Sequence, residues 1–328
     1  MIAEPDTLNG LALVTVSGTK HFNRDFARPC LDSWRRIEGV STWGLIDDGL
    51  LPEDVRRAGT EGFTVYDREP SAVVEGLSRR PGLQIMRRAS PTWRHVVDTV
   101  ILCRQSDYVV LIDTDVFVTE PVAIARQGLD FIYNCDDIPG FRGKWYLPLV
   151  ERMMPAINPG FMVLSPQAVD LDLLEDLVQR YFVDAKNYWW TRQSALSVLV
   201  ARSEKRGLFD GNDVRVFSGS RKRSPAEIRA NIWKMRGDRR MATDADWVAD
   251  CLRGAAVLHL AGKGKGWLSL AQTFERTSGP PRVLKTVPAP HATPFERGLI
   301  AFRMFAIQAG RGWIPRRPAK SSLQRVPT

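Results

Sequence analysis

Cysteine is scarce: 328 residues hold four, Cys30, Cys103, Cys135 and Cys251, with no CxxC spacing among them. That excludes a disulfide framework and a cysteine-based zinc site, and reads as four reduced, structural thiols. Long apolar runs are missing too. No stretch approaches the roughly 20 uncharged residues that span a bilayer. The first ten residues, MIAEPDTLNG, carry two acids and no basic residue, so a secretory signal is not expected. Neither an internal repeat nor a low-complexity segment is found. The expectation is a soluble cytoplasmic protein, or one attached peripherally to the cytoplasmic face of a membrane.

Acidic residues are few in only one part of the chain. The net charge is +9, but from Arg282 onward nine Arg or Lys face a single acid, Glu296, which leaves +1 for everything before. A second basic stretch, Arg221 to Arg240, has eight basic residues against two acids. The rest of the body is therefore mildly acidic, which does not describe a nucleic-acid binder, and no nucleic-acid partner is expected.

With 44% hydrophobic and 25% charged residues the chain can bury a full core. Its first 165 residues alternate short β-type runs with helical patterns, the rhythm of an α/β sheet flanked by helices. Strands are predicted at Leu11 to Ser17, Trp43 to Ile46, Phe63 to Tyr66, Tyr108 to Ile112, Phe131 to Asn134 and Phe161 to Leu164. Later strands are expected at Val214 to Phe217 and Ala255 to His259. A helix should start at Pro91, behind the N-cap residue Ser90; others are expected near Asp170 to Phe182 and Thr191 to Ala201. Past Gly279 the sheet rhythm stops. The expected division is a catalytic unit over 1–278 and a basic, proline-containing tail over 279–328.

Three Asp-x-Asp pairs occur. Asp170/Asp172 and Asp244/Asp246 stand at predicted helix starts, where acids complement the helix dipole. Asp113/Asp115 instead follow the apolar run YVVLI, so two carboxylates emerge at the carboxyl edge of a central strand, where open α/β sheets bind ligands. If the chain is extended there, both side chains point the same way and can share a cation. Downstream, Ala255 to Trp267 reads AAVLHLAGKGKGW: an apolar strand, then His259, then a loop with Gly262 and Gly264 for close anion approach and Lys263 and Lys265 for charge. The combination suits a diphosphate and a Mg²⁺ or Mn²⁺ ion, the imidazole tilting the choice toward Mn²⁺.

These segments resemble the retaining glycosyltransferases of family 8, the group of glycogenin and the bacterial lipooligosaccharide galactosyltransferases. The resemblance rests on VTVS near the N-terminus, the strand ending in DTD, Asn158-Pro159-Gly160 before an apolar strand, and HLAGKGKGW against the pattern HxxGxxKPW. It implies a GT-A fold, a Rossmann-like mixed sheet flanked by helices. It also implies transfer of a hexose from a nucleotide-diphosphate sugar, a UDP-sugar by expectation, to a glycan or glycolipid acceptor with retention of configuration. Asp113, Asp115 and His259 are then metal ligands, and Gly262 and Lys265 contact the donor diphosphate. Thr15 and Ser17 sit where the family binds the nucleoside, and Asn158 and Gly160 near the donor sugar. Gln193 would stabilise positive charge at the anomeric carbon through its amide oxygen. Three positions depart from the pattern: Arg192 stands where an acid helps hold the donor sugar, Pro159 where a small residue is common, and Gly266 where Pro precedes the tryptophan.

Arg94 and His95 are within reach of the donor phosphates from the helix before the DTD strand, although an Arg94–Asp98 pair on the helix surface is the simpler account. In the tail, Pro294 to Trp313 has an amphipathic helical pattern, with Glu296, Arg297, Arg303, Gln308 and Arg311 opposite Phe295, Phe302 and Phe305. It reads either as a helix at an anionic membrane surface, helped by Arg316, Arg317 and Lys320, or as a last helix packed on the body. Two other functions stay open. A haloacid-dehalogenase-type phosphatase also uses a strand ending in DxD, but expects Thr or Val where Phe117 stands. A degenerate transferase would bind a nucleotide-sugar without turnover, with Arg192 as the reason.

Overall fold

The computed structural model describes residues 8, 10–125, 127–136, 139–182, 188–218 and 245–313. The basic stretch Arg221 to Arg240, Asp244, and Arg316, Arg317 and Lys320 lie outside them.

Thirteen strands are formed among the described residues: β1 Leu11–Ser17, β2 Val40–Asp47, β3 Thr64–Tyr66, β4 Val109–Ile112, β5 Val116–Val118, β6 Val122–Ile124, β7 Phe131–Cys135, β8 Ile157–Leu164, β9 Arg206–Phe209, β10 Val214–Val216, β11 Val257–His259, β12 Arg282–Leu284 and β13 Thr286–Pro288. Eight build the main sheet in the order β13-β9-β7-β8-β4-β1-β2-β3. β1, β2, β3 and β4 run parallel, while β8 runs antiparallel to both β4 and β7. The sheet is therefore mixed and flanked by helices, as expected. Every residue of β4 and β8 is buried, which is why β4 and the Phe161 to Leu164 half of β8 read as continuous apolar runs rather than alternating ones. One core fills the face covered by the helices Pro81–Ala89, Pro91–Leu102, Leu171–Leu177 and Tyr188–Arg202; a second fills the opposite face.

Strand order reverses at β1, since β2 lies on one side of it and β4 on the other. The carboxyl ends of β1, β4 and β7 and the amino end of β8 thus share one edge, the place where a doubly wound sheet opens a crevice.

The residues after the DTD motif do not continue the main sheet. β5 pairs antiparallel with β11, and β11 parallel with β10, in a separate three-stranded sheet. This small sheet brings His259 opposite Val116 and so beside the acids.

Of the acidic pairs set aside, Asp170 is an N-cap: its carboxylate accepts from the backbone N–H groups of Asp172 and Leu173, both at 2.9 Å. Asp246 lies in the first turn of the helix Ala245–Leu252.

The sheet rhythm does not stop at Gly279. β12 pairs with β6 and β13 with β9, three residues each, too short and proline-flanked to stand out in the sequence. The helix Pro294–Trp313 forms over the expected span. A capping box starts it: the Thr293 N–H donates to the Glu296 carboxylate at 2.7 Å, and the Glu296 N–H to the Thr293 hydroxyl at 3.2 Å. Leu299, Ile300 and Met304 enter the main core. The polar side chains Arg303 and Gln308 reach back to the carbonyls of Pro139 and Gly143. Phe295, Phe302 and Phe305 are left exposed.

Candidate active site

Asp113 and Asp115 converge, though not along an extended strand. β4 ends at Ile112, and the chain turns at once: the Val116 N–H donates to the Asp113 carbonyl at 3.0 Å, closing a four-residue turn. The turn is anchored on both flanks, because the Asp113 N–H donates to Gly160 of β8 at 2.8 Å and the Asp115 carbonyl accepts from the Leu260 N–H at 2.9 Å. With His259 at the end of β11, ligand atoms of Asp113, Asp115 and His259 all lie within 4.8 Å of one another. It is a compact donor set of two carboxylates and one imidazole.

The orientation of the imidazole follows from hydrogen-bond chemistry. Asn158 donates its amide N–H to Asp136 at 3.0 Å, so its oxygen faces the other way, accepting from Gly160 N–H at 2.8 Å and meeting His259 Nδ1 at 3.0 Å. Nδ1 must therefore carry a proton, and Nε2 is the nitrogen turned to the acids, 3.1 Å from Asp115 and 3.8 Å from Asp113. Burial works to lower the His259 pKa, but the Asp115 carboxylate, by charge and hydrogen bond, outweighs it with help from Asp113 and Asp136, and the net shift is upward. Gly160 makes room for this ring: a Cβ there would fall within van der Waals contact of His259 Cε1, Nδ1 and Nε2.

Asp136, which accepts from Asn158, also ties in Gln193, whose Nε2 donates to Asp136 at 2.8 Å and to the Ile157 carbonyl at 2.6 Å. Both partners can only accept, which leaves the Gln193 amide oxygen facing away from them, toward Gly140. Asp136 was not picked out from the sequence. It follows β7 in the run NCDD, with no apolar strand pointing at it in the way YVVLI points at Asp113.

Two cations meet the acids. The Lys265 ammonium pairs with Asp115 and lies 5.1 Å above the Phe26 ring. It comes from the turn Gly262–Trp267, which opens with Gly262 at φ +54°, a left-handed conformation that favours glycine. Arg192 Nη2 stands 3.7 Å from Asp113. Burial raises the pKa of Asp113, but the charge of Arg192, with the neighbouring His95 and His259, holds it well below the usual carboxylate range. At 3.7 Å, two unit charges attract by about 4 kcal/mol in an effective dielectric near 20, and this is the largest of the pulls that together outweigh burial. Asp115 is held down in the same way against burial, chiefly by His259.

The structure corrects the simpler account of Arg94. It does not pair with Asp98 on a helix surface. Asp98 is fully buried and takes a two-pronged pair from Arg87 at 2.6 and 2.9 Å. Arg94, also buried, pairs with Asp48 just beyond β2. His95 sits beneath the site, its Nε2 on the Val14 carbonyl at 2.8 Å and its Nδ1 3.5 Å from Asp113. Thr15 and Ser17, near the carboxyl end of β1, are buried; the Thr15 hydroxyl has no hydrogen-bond partner, and that of Ser17 donates to Gly18 at 3.3 Å. The fold thus gathers Asp113, Asp115, His259, Lys265, Asn158, Gly160 and Gln193 into one cluster. Thr15, Ser17 and Arg94 lie toward the ends of β1 and β2. Gly262 is exposed at the rim.

The donor set fits a divalent cation: hard carboxylate oxygens beside an imidazole nitrogen already held in the ligating orientation by Asn158, with the ring seated against Gly160. An α/β crevice with such a cluster at the carboxyl ends of its strands is the kind of site that holds a phosphorylated ligand.

No family model matches the chain, and no curated protein matches it. Among solved structures, it is similar to mouse xyloside xylosyltransferase 1 in its apo form, at 12% identity over 76% of this chain and 96% of that one, with a TM-score of 0.47. It is also similar to the galactosyltransferase LgtC in complex with donor and acceptor sugar analogues, at 10% identity over 82% and 98%, TM-score 0.43. A third is a glycosyltransferase involved in glycosylation of the major capsid of PBCV-1, at 11% identity over 80% and 98%, TM-score 0.38. Each is by its name a glycosyltransferase.

Proposed function

We propose that the chain is a metal-dependent glycosyltransferase that moves a hexose from a nucleotide-diphosphate sugar, of the UDP-sugar class, to a glycan or glycolipid. The observation that carries this reading is the meeting of Asp113, Asp115 and His259 within 4.8 Å at the crevice edge of the sheet, with Lys265 alongside. Asp113, Asp115 and His259 hold the ion, Mn²⁺ before Mg²⁺; bound there it supplies Lewis acidity toward the diphosphate leaving group. Lys265, the more exposed of the two cations, turns from Asp115 to the departing phosphate oxygens. Gly262 lets backbone approach them, with Arg94 on the phosphate side, and Thr15 and Ser17 stand at the nucleoside end.

Asn158 and Gly160 border the donor sugar. Gln193, locked by Asp136 and Ile157, presents its amide oxygen to the positive charge that develops at the anomeric carbon. Transfer on this reading retains configuration, the acceptor hydroxyl entering on the face the diphosphate leaves. For location the reading is cytoplasmic and peripheral to an anionic membrane surface. No helix among the described residues is long and apolar enough to cross a membrane. The helix Pro294–Trp313 instead packs on the body with its phenylalanines outward, beside the exposed Trp145, Tyr146, Leu149 and Val150.

The test is release of nucleoside diphosphate from a panel of nucleotide-sugars with and without Mn²⁺. Turnover on at least one UDP-sugar is expected, falling by about 100-fold or more in Asp115→Asn and Gln193→Ala. Unchanged turnover in Gln193→Ala removes that residue from the chemistry. Hydrolysis of phosphomonoesters instead supports a phosphatase, and binding without release a degenerate transferase.

A further inference from the structure

The acids of the site are not idle before an ion arrives. Asp115 is paired with Lys265 and Asp113 faces Arg192, so two negative charges stand against two positive ones. The two cations differ in freedom. The Lys265 side chain keeps 31% of its exposure and sits in a turn, so it can swing out into water. The Arg192 side chain is 3% exposed, on the first turns of the helix Tyr188–Arg202. The side chains on either side of it in the helix are held: Trp93 donates to the Thr191 hydroxyl at 2.9 Å, and the Gln193 amide donates to Asp136 and to the Ile157 carbonyl. A buried guanidinium is screened little by salt and cannot lose its charge at any working pH.

We infer that Arg192 is a built-in counter-ion that competes with the divalent cation for Asp113 and so sets how tightly the site binds metal. This rests on the metal reading given above. An incoming ion must share Asp113 with a buried positive charge, so the ion alone binds weakly. An anionic diphosphate entering with the ion restores the net negative charge that Arg192 cancels. Arg192 therefore couples metal occupancy to the arrival of the donor, and it does so by position without acting on the reacting atoms.

The experiment is titration of the whole protein with Mn²⁺ alone, followed by electron paramagnetic resonance of the free ion, with folding checked by thermal melting. Arg192→Gln removes the charge and keeps a polar side chain; its Mn²⁺ affinity should rise by about tenfold or more. Arg192→Lys keeps a positive charge and should stay near wild type. Equal affinity in Arg192→Gln and wild type, or equal tightening in both variants, overturns the inference. Asp115→Asn separates the two levels. If it abolishes Mn²⁺ binding while Arg192→Gln behaves as wild type, the metal site stands and the role of Arg192 falls. If Asp115→Asn binds Mn²⁺ as wild type does, the metal reading itself falls.

Discussion

At the scale of single residues the site is decided by which atom of each side chain is already committed. Asn158 spends its amide N–H on Asp136 and its oxygen on Gly160 and His259, and that one choice makes Nε2 of His259 the nitrogen turned to the two acids. Without metal the His259 pKa lies above its ordinary value of 6.5, because the acids outweigh burial. A folded pKa above the unfolded one means a contribution to stability that is complete below pH 6.5 and fades as pH rises through the folded value. Metal binding runs the other way, since the ion needs the neutral ring. Mn²⁺ affinity should fall about tenfold per pH unit below the folded His259 pKa, with one proton released per ion bound. Calorimetry in buffers of different ionisation enthalpy measures that proton, and a pH-independent affinity would contradict the arrangement. Among the thiols, Cys103 shows what burial does to an inert one: its pKa is pushed up to about 11, well away from reactivity.

At the scale of elements, the close fit of β8 against the end of β11 carries the site. Gly160 touches the His259 ring face, and its N–H and carbonyl are both used, by Asn158 and by Asp113. In Gly160→Ala the added methyl must push either the ring or the β8 backbone. The expected result is a loss of about 10-fold to 100-fold in Mn²⁺ affinity, the range for disturbing a group that orients a ligand, with a stability cost of roughly 1–3 kcal/mol. Metal titration alongside a melting curve checks both; unchanged affinity would mean the ring is free to shift. The turn at residues 113–116 matters in the same way. By turning the chain into β5 it draws β11, and with it His259, to the two acids, which an extended continuation of β4 would not do.

At the scale of the whole molecule, the C-terminal segment is both structural and outward-facing. Leu284, Ala289, Ile300 and Met304 are parts of the two main cores, so cutting the chain at Gly279 would open them. Membrane contact is better tested by point changes on the exposed face. Full burial of one phenylalanine side chain yields about 1.5–3 kcal/mol. Phe302→Ser together with Phe305→Ser should therefore weaken partitioning onto anionic phosphatidylglycerol vesicles by at least about tenfold, with donor turnover in solution unchanged. Equal sedimentation of variant and wild type with those vesicles would assign the helix to packing alone.

Much of this was readable from the chain because it lies in runs. YVVLI before Asp113, the apolar strand before His259 and the glycines and lysines after it state their own placement, since a buried strand leaves only its ends for chemistry. The alternation of strands and helices foretold an α/β sheet for the same reason. What the tertiary structure alone decided is how separate segments meet. Asp136 holds Asn158 and Gln193 from a loop without a pattern, Arg94 answers to Asp48 rather than to Asp98 on its own helix, and Arg192 faces Asp113 across 78 intervening sequence positions. Short strands such as β5, β12 and β13 escaped as well, because β5 follows the DTD turn directly and β12 and β13 lie in a proline-rich stretch. Local sequence specifies which side chains stand at the end of a strand; only the packed sheet specifies which of them share a charge.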